Sequence, residues 1–259
     1  MKNLVGIIPA AGKGTRLAPF PCPKELFPVG FQDFQIGDKV EKRPKVISQY
    51  ILEAMLEAGV ERVLFILGEG KSDIMEFYGD GNRFGCEIGY LYQERLNGMP
   101  TAINLAKPWI GDATVVFGMP DTIIQPGNAL KQLLDQHQAS AAELSLGLFP
   151  TNTPQKFGMV EFDESHNVLS TIDKPKQSEL THMWGCCCWS VEFTNLIDSY
   201  LIENQDHPKE IVLGDVFDQA LELGRTVKAV PIDGSYIDIG TANELNNALA
   251  RFALEETRS

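Results

Sequence analysis

The chain has 259 residues, of which 44% are hydrophobic, with 22 basic and 35 acidic side chains. This length and composition fit one large domain or two small ones and give no sign of disorder. The net charge of −13 argues against a nucleic-acid backbone or an anionic membrane as a general partner. Against this acidic background, a basic cluster near the N-terminus is unusual.

The first 150 residues alternate between short apolar runs and helical patterns. Apolar runs of strand length lie at 4–10, 62–68, 87–93, 113–121 and 143–150. Patterns with helical spacing lie at 45–59, 72–79, 101–110 and 129–140. Ser72 is a plausible N-cap for the second of these helices. Strands that alternate with helices predict an α/β protein with a largely parallel sheet covered on both faces.

After residue 150 the pattern becomes a mixture of strands and helices. Strand patterns lie at 157–163, 168–175, 183–190 and 226–232. Helical patterns lie at 193–204, 215–224 and 243–256. We therefore expect the second half either to add strands to the same sheet or to form a smaller attached lobe. Residues 30–44 are the least regular segment, and they predict a loop or a small hairpin.

Thiol chemistry and targeting segments add little to this prediction. The odd number of cysteines and the absence of a C-x-x-C pair argue against a disulfide scaffold and a metal ribbon. The cysteines are Cys22, Cys86, Cys186, Cys187 and Cys188. The last three suit the small apolar positions of a strand better than a catalytic thiol. Free thiols fit a reducing compartment such as the cytoplasm. No apolar run of about 18 residues predicts a membrane span, and residues 1–12 fit a first strand better than a signal peptide.

A glycine-rich loop follows the first strand, in the segment LVGIIPAAGKGTRLAPFPCPKELFPVG at 4–30. It is not a Walker A loop, because Gly6 and Gly12 are one residue too far apart. Gly14 also replaces the Ser or Thr that would bind magnesium there. It is not a dinucleotide fingerprint either, because Leu17 stands where the third glycine belongs.

The same loop is suited to binding an anion. Its backbone N–H groups can form a nest around a phosphate, and glycine permits the positive φ that a nest requires. Lys13, Arg16 and Lys24 are close enough in sequence to surround a triphosphate. The alternative is a surface turn whose charges are ordinarily solvated.

The stretches GKGTRLAP and PKELFPVG resemble the G-x-G-T-R-[LM]-x-P and P-K-x-[LM]-x-P signature of the sugar-1-phosphate nucleotidyltransferases. Later stretches are similar in the same order, namely QERLNG, GMPDT, FGMVEFD, DKP and YIDIGT. The resemblance implies a Rossmann-like three-layer α/β/α fold with a mostly parallel, mixed central sheet. It also implies one nucleotidyltransferase domain over 1–259, with a nucleotide half at 1–150 and a sugar-phosphate half at 151–259.

The implied reaction joins an NTP and a sugar 1-phosphate to give an NDP-sugar and pyrophosphate. A phosphate monoester is mostly a dianion at neutral pH, so its oxygen can attack the α-phosphorus without a general base. The enzyme has to overcome the repulsion of two anions and hold them in line, which predicts cations and a metal ion. We accordingly expect each of the four histidines to be solvated rather than catalytic. They are His137, His166, His182 and His207.

The resemblance also assigns roles to individual residues. Arg16, Lys24 and Asp121 are implied to be catalytic, and Asp121 and Asp238 are implied to bind Mg²⁺. Asp121 closes the predicted strand 113–121, so its side chain should emerge at the carboxyl edge of the sheet, where ligands bind. The implied nucleotide-binding residues are Ala10, Ala11, Gly12, Gly14, Thr15, Arg16, Gln93 and Gly98. The implied sugar-phosphate-binding residues are Thr122, Gly158, Asp173 and Lys174.

Some residues depart from the family pattern and leave the base and the sugar open. Asp173 replaces the usual glutamate, Phe157 replaces a common tyrosine, and GMPTA replaces the usual G-L-A or G-T-A.

The expected substrates are dTTP or UTP with glucose 1-phosphate. One alternative is a cytidylyltransferase acting on a sugar phosphate or phosphocholine. Another is a non-catalytic regulatory subunit, although such subunits tend to lose the basic and acidic residues retained here. A homo-oligomer is possible.

Overall fold

The computed structural model describes residues 3–206 and 210–256. The strands are β1 Leu4–Ala10, β2 Pro28–Ile36, β3 Lys39–Val46, β4 Arg62–Leu67, β5 Glu87–Tyr92, β6 Thr114–Gly118, β7 Thr122–Gln125, β8 Leu144–Pro150, β9 Gly158–Phe162, β10 Val168–Asp173, β11 His182–Trp189, β12 Val227–Pro231 and β13 Ser235–Asp238. The α-helices are α1 Ile47–Glu57, α2 Ser72–Tyr78, α3 Met99–Asn104, α4 Lys107–Ile110, α5 Ala129–Ser140, α6 Val191–Glu203, α7 Leu213–Glu222 and α8 Ala242–Glu256. No described helix is long and apolar enough to cross a membrane.

One mixed sheet contains strands from both halves of the chain. Its main order is β10-β9-β11-β6-β1-β4-β5, and β8 pairs with β11 and β12. The pairs β6–β1, β1–β4 and β4–β5 are parallel, as are β8 and β12. Strand β11 is antiparallel to β6, β8 and β9, and β10 is antiparallel to β9. The α/β class and the mostly parallel, mixed sheet are therefore confirmed.

Helices cover both faces of this sheet because successive side chains of a strand point to opposite faces. In β1, Val5 and Ile7 face the core formed with α3, α4, α6 and α7. Ile8 and Ala10 face the core formed with α1, α2 and α5. The three-layer α/β/α arrangement predicted from the sequence is the result.

The three adjacent cysteines lie in the middle of the sheet. Cys186, Cys187 and Cys188 are on β11 between β6 and β8, and all three are fully buried. Burial raises the pKa of each thiol, that of Cys186 to about 12. A thiol in this state does not form a thiolate at neutral pH, so the interpretation as apolar strand residues is confirmed.

The irregular segment is a long hairpin rather than a loop. Strands β2 and β3 pair with each other from Pro28 to Val46 around a two-residue turn at Gly37 and Asp38. Gly37 adopts φ +59°, which suits the first central position of such a turn. At its base, Val29 packs with Ile47 of α1 and Ala248 of α8 in a separate small core.

Other sequence-based boundaries were wrong. The helix predicted at 101–110 is two short helices, α3 and α4, with Pro108 in the first turn of α4. Ser72 begins α2 instead of capping it, and Lys71 occupies the cap position without a side-chain cap. The strand that leads to Asp121 ends at Gly118, so Asp121 lies in the loop after β6 and directly before β7. The β7–β13 ribbon was not predicted.

A buried ion pair fixes the short 3-10 helix Lys24–Leu26, which follows the glycine loop. Lys71 Nζ lies 2.6 Å from Glu25 Oε2, and both side chains are almost completely buried. Burial raises the pKa of Glu25, and Lys71 opposes that rise. Ser48 Oγ donates to the carbonyl of Glu25 at 2.7 Å. The position of Lys24 in the helix is thereby tied to α1 and to the loop after β4.

We expect Lys71→Met to lower the free energy of unfolding by about 3 kcal/mol, because it leaves the carboxylate of Glu25 buried without its partner. Urea unfolding followed by circular dichroism measures the loss. The matched control is Lys131→Met, which removes an exposed i,i+4 pair with Asp135 and should cost at most about 1 kcal/mol. An equal effect of the two substitutions would contradict a structural role for the buried pair.

Candidate active site

A cavity of about 720 Å³ opens at the carboxyl edge of the parallel strands. Most of the residues implied by the resemblance line it. They are Ala11, Gly12, Arg16, Lys24, Gln93, Gly98, Asp121, Gly158, Asp173, Lys174 and Asp238. They come from both halves of the chain and from loops that are distant in sequence. The carboxyl ends of parallel strands meet at one edge of a sheet, which explains why these loops converge.

Four of the implied residues do not line the cavity. Ala10 is a buried residue at the end of β1, and Thr122 is buried at the start of β7. Thr122 Oγ1 donates to the carbonyl of Met119, which lines the cavity. Gly14 and Thr15 lie in the glycine loop and do not line the cavity, although Gly14, at φ +63°, packs beside the side chain of Lys24. The binding roles of these residues stay predictions.

Lys24 and Asp121 form an ion pair inside the cavity. About 15% of each side chain is exposed, so solvent screens the pair less than it screens a surface pair. Burial lowers the pKa of Lys24, but the nearby carboxylates, Asp121 first, outweigh burial and the net shift is upward. Lys24 is therefore a fixed cation at neutral pH.

Asp238 is the second carboxylate in the cavity. The register of the β7–β13 ribbon places it opposite Thr122, and Ile239 N donates to the carbonyl of Asp121 at 3.0 Å. Burial raises the pKa of Asp238 to about 6, with further increases from Asp121 and Glu244. Because Asp121 raises the cost of ionising Asp238, a cation beside the two carboxylates would be stabilised.

The residues present fit a magnesium ion. A hard Mg²⁺ commonly uses one or two carboxylates together with substrate phosphates and water, and it does not require a cage of protein ligands. Asp121 and Asp238 supply such a pair. The described residues contain no cluster of three or more His, Cys, Asp or Glu that could hold a metal ion, so substrate phosphates and water would complete the coordination.

Arg16 lies against the turn that follows β13. A Cβ atom at Gly240 would lie 3.0 Å from Nη2 of Arg16, so a side chain at this position would press on the guanidinium group. Arg16 also lowers the pKa of Asp238 through its charge. Arg16 belongs to the glycine loop near the N-terminus, but its guanidinium group lies close to the carboxylate of Asp238.

Gln93 and Gly98 form one corner of the cavity. Gln93 follows β5 and is 6% exposed, and its Nε2 lies 3.4 Å from the carbonyl of Gly98. Gly98 adopts φ +114°, and a Cβ there would lie 2.2 Å from the carbonyl oxygen of Ile211. Only glycine fits, and the backbone that approaches it belongs to the second half of the chain.

The sugar half contributes Gly158, Asp173 and Lys174. A Cβ at Gly158 would lie 2.3 Å from Nε1 of Trp184, so the indole ring packs directly on this glycine. Lys174 adopts φ +45°, which is uncommon for a residue with a side chain, and its amide donates to the carbonyl of Phe157 at 3.0 Å.

Sequence reasoning missed a fourth cation on the cavity wall. Lys156 ends the short 3-10 helix Pro154–Lys156, and its Nζ lies 2.6 Å from Oε1 of Glu244 on α8. Glu244 Oε2 also accepts hydrogen bonds from Gly240 N and Thr241 Oγ1. The only signal in the sequence was the position of Lys156 two residues before Gly158.

No histidine of the described residues lines this cavity. His166 is exposed and His182 is half-buried, whereas His207 lies outside the described residues. The expectation of a solvated side chain was wrong for His137, which is buried on α5 with Nδ1 2.9 Å from Ser145 Oγ. Burial lowers its pKa to about 4, so it is neutral at pH 7.

The comparisons with known proteins identify the family of the chain. Residues 5–254 match the model of the family described as "Nucleotidyl transferase". The chain is 28% identical over 252 residues to "Glucose-1-phosphate thymidylyltransferase" of Neisseria gonorrhoeae, covering 94% of this chain and 80% of that protein. It is 26% identical over 247 residues to "Low-salt glycan biosynthesis nucleotidyltransferase Agl11" of Haloferax volcanii, covering 94% of this chain and 64% of the relative's length.

A solved structure gives the same answer for the fold. The "UTP-bound UGPase" from Acinetobacter baumannii superposes with a TM-score of 0.76 at 18% identity, covering 98% of this chain and 94% of that one. At this identity the likeness concerns the fold alone. The chain belongs to the nucleotidyl transferase family, as its motifs indicate.

We expect Asp238→Asn to stabilise the metal-free protein at pH 7.5 by about 1–3 kcal/mol. The pKa of Asp238 is raised from 3.8 to about 6 on folding, so its contribution to stability is full below pH 3.8 and is lost as the pH rises through 6. Asparagine removes this loss. Thermal unfolding at pH 3.5 and 7.5 in EDTA measures the effect. A destabilised variant at pH 7.5 would contradict the electrostatic assignment.

Proposed function

We propose that the protein transfers a nucleotidyl group from an NTP to a sugar 1-phosphate, with release of pyrophosphate and in the presence of Mg²⁺. The observation that carries the proposal is the convergence of Arg16, Lys24, Lys174 and two aspartates on one cavity. These are the residues that the family motifs imply. The substrates we favour are dTTP or UTP, with glucose 1-phosphate as the simplest sugar phosphate.

The cations of the cavity wall support this assignment. An NTP and a sugar phosphate together bring about six negative charges at neutral pH. The cavity wall offers Arg16, Lys24, Lys156 and Lys174 as cations, and a bound magnesium ion would offset the charge of two of its carboxylates. The carboxylates on the wall are Glu25, Asp121, Asp173, Glu210 and Asp238. Their attraction for phosphate is strongest where water is excluded, so it can offset the repulsion between the two substrates. A wall with fewer cations would leave that repulsion to oppose binding.

Three of the four basic residues have a proposed task that follows from the family motifs. Arg16, with its planar fork, binds the β- and γ-phosphates and stabilises the leaving pyrophosphate. Lys24 stabilises charge on the α-phosphate as the new bond forms. Lys174 binds the phosphate of the sugar. No histidine is needed as a base, because the attacking phosphate oxygen is already ionised.

The acidic pair Asp121 and Asp238 would hold the magnesium ion. When bound, Mg²⁺ neutralises phosphate charge and stabilises the phosphoryl oxygens of the transition state. Because Asp121 also contacts Lys24, the residue that would bind the ion and the residue that acts on the α-phosphate are held together. The two tasks therefore share one local geometry.

The names of relatives suggest the substrates but do not decide them. The Neisseria relative is named for thymidylyl transfer to glucose 1-phosphate, and the Acinetobacter structure contains UTP. A cytidylyltransferase is the close alternative, and a regulatory subunit that binds nucleotides without turnover is the distant one. Pyrophosphate release from a matrix of ATP, GTP, CTP, UTP and dTTP with common hexose 1-phosphates and phosphocholine separates these. Release with no pair would favour the regulatory subunit.

We expect Asp121→Asn to reduce turnover by at least about 10³-fold while the protein stays folded, because it weakens both the metal site and the contact with Lys24. Pyrophosphate release and circular dichroism measure the two effects. The control is Asp33→Asn, which affects an exposed ion pair with Lys42 on the hairpin and should keep wild-type turnover. Full activity of Asp121→Asn would contradict the proposed role.

For Lys156→Met we expect the KM for the sugar 1-phosphate to rise about tenfold, since the change removes one charge-assisted contact between the lysine and the phosphate of the sugar. Glu244→Gln should not raise this KM, because it releases Lys156 and keeps an amide oxygen that can accept from Gly240 and Thr241. Steady-state kinetics of the two variants make the comparison. An equal loss in both would indicate that the pair is only structural.

A further inference from the structure

We propose that Thr101 is a positioning residue that fixes the amide of Gln93 so that its oxygen faces the nucleotide. The inference rests on the proposed function, because it concerns the nucleobase end of the same cavity. Thr101 lies in α3 and does not line the cavity, whereas Gln93 does. Any effect of Thr101 on the nucleotide therefore passes through a residue that it contacts on the cavity wall, Gln93 or Gly98, and the double-mutant cycle below separates the two.

The hydroxyl group of Thr101 contacts three polar groups. Its Oγ1 lies 2.7 Å from the carbonyl of Gly98 and 2.7 Å from Oδ1 of Asn97. It lies 3.1 Å from Nε2 of Gln93. The hydroxyl group has one proton, and both the Gly98 carbonyl and Oδ1 of Asn97 are acceptors. Thr101 therefore donates its proton to one of these two oxygens. The lone pair that remains on Oγ1 faces Gln93.

These contacts determine the orientation of the Gln93 amide, that is, which end is the NH₂ group and which end is the oxygen. The end near Thr101 also lies 3.4 Å from the Gly98 carbonyl, so two acceptors flank it. An NH₂ group satisfies both acceptors, whereas an oxygen there would be repelled by both. The hydrogen-bond network thus assigns the orientation of the Gln93 amide.

The consequence is an acceptor at the cavity wall. With Nε2 engaged, Oε1 of Gln93 accepts no hydrogen bond from residues 3–206 or 210–256. Oε1 of Gln93 is also not among the fully buried polar side-chain atoms that lack a hydrogen-bond partner in the described residues. Gln93 therefore presents a fixed acceptor to an N–H donor on the edge of a base, such as N3–H of uracil or thymine. Rotation of the amide would replace that acceptor with a donor.

The test is a double-mutant cycle on nucleotide use. We expect Thr101→Val, which keeps the shape but removes the hydroxyl group, to raise the KM for the preferred NTP about tenfold. The KM for the sugar phosphate and kcat should change less than twofold. Thr101→Ser, which keeps the hydroxyl group, should stay within about twofold of the wild type in all three quantities.

The cycle is completed with Gln93→Leu and the double variant Gln93→Leu/Thr101→Val. If Thr101 acts through Gln93, the double variant loses no more than Gln93→Leu alone. Additive losses, a wild-type KM in Thr101→Val, or a loss in Thr101→Ser equal to that in Thr101→Val would each overturn the proposal. Thr101→Ala replaces Thr101→Val in the same cycle if the valine variant does not fold.

Direct binding keeps this inference separate from the proposed function. Calorimetric titration of UTP, dTTP and CTP into each variant measures affinity without turnover. If the wild type binds one of them but transfers it to no sugar phosphate, the proposed function fails while the Thr101 cycle is still decided by dissociation constants. If the wild type turns over normally but Thr101→Val binds like the wild type, only the Thr101 proposal fails.

Discussion

The contact between Lys24 and Asp121 is the interaction on which the rest of the cavity depends. Lys24 comes from the short helix after the glycine loop, and Asp121 comes from the loop after β6. Their sequence separation of 97 residues is closed because β1 and β6 are neighbouring parallel strands. A mostly buried cation and carboxylate in contact give the site a defined charge distribution before any substrate binds.

Close backbone approaches then hold the two halves of the chain together around this pair. Gly98 of the first half lies against the carbonyl of Ile211 in the second, and the β7–β13 ribbon joins Asp121 to Asp238. A side chain at Gly98 would collide with that carbonyl, so its lack of a Cβ is a packing requirement. These backbone contacts therefore set the distance between the two cavity walls that would face the nucleotide and the sugar phosphate.

The strongly periodic parts of the chain were predictable, and the short or locally contacted parts were not. Runs such as β1 and α5 have clear spacing, so their type was correct and their bounds were close. The four-residue strands β7 and β13 are too short to show any period, and each is completed as a strand by pairing with the other. The break between α3 and α4 has a local signal in Pro108, whereas the burial of His137 depends on neighbours that the sequence does not place.

The sequence by itself determined the family, the α/β class and the chemical types in the cavity, because the motifs carry the arginine, lysines and aspartates in order. Only the tertiary structure decided which of them meet. It placed Ala10 and Thr122 behind the wall, brought Lys156 onto it, and set the Gln93 amide through Thr101. The physical reason is that contacts between distant segments depend on strand register and side-chain direction, which no local pattern encodes.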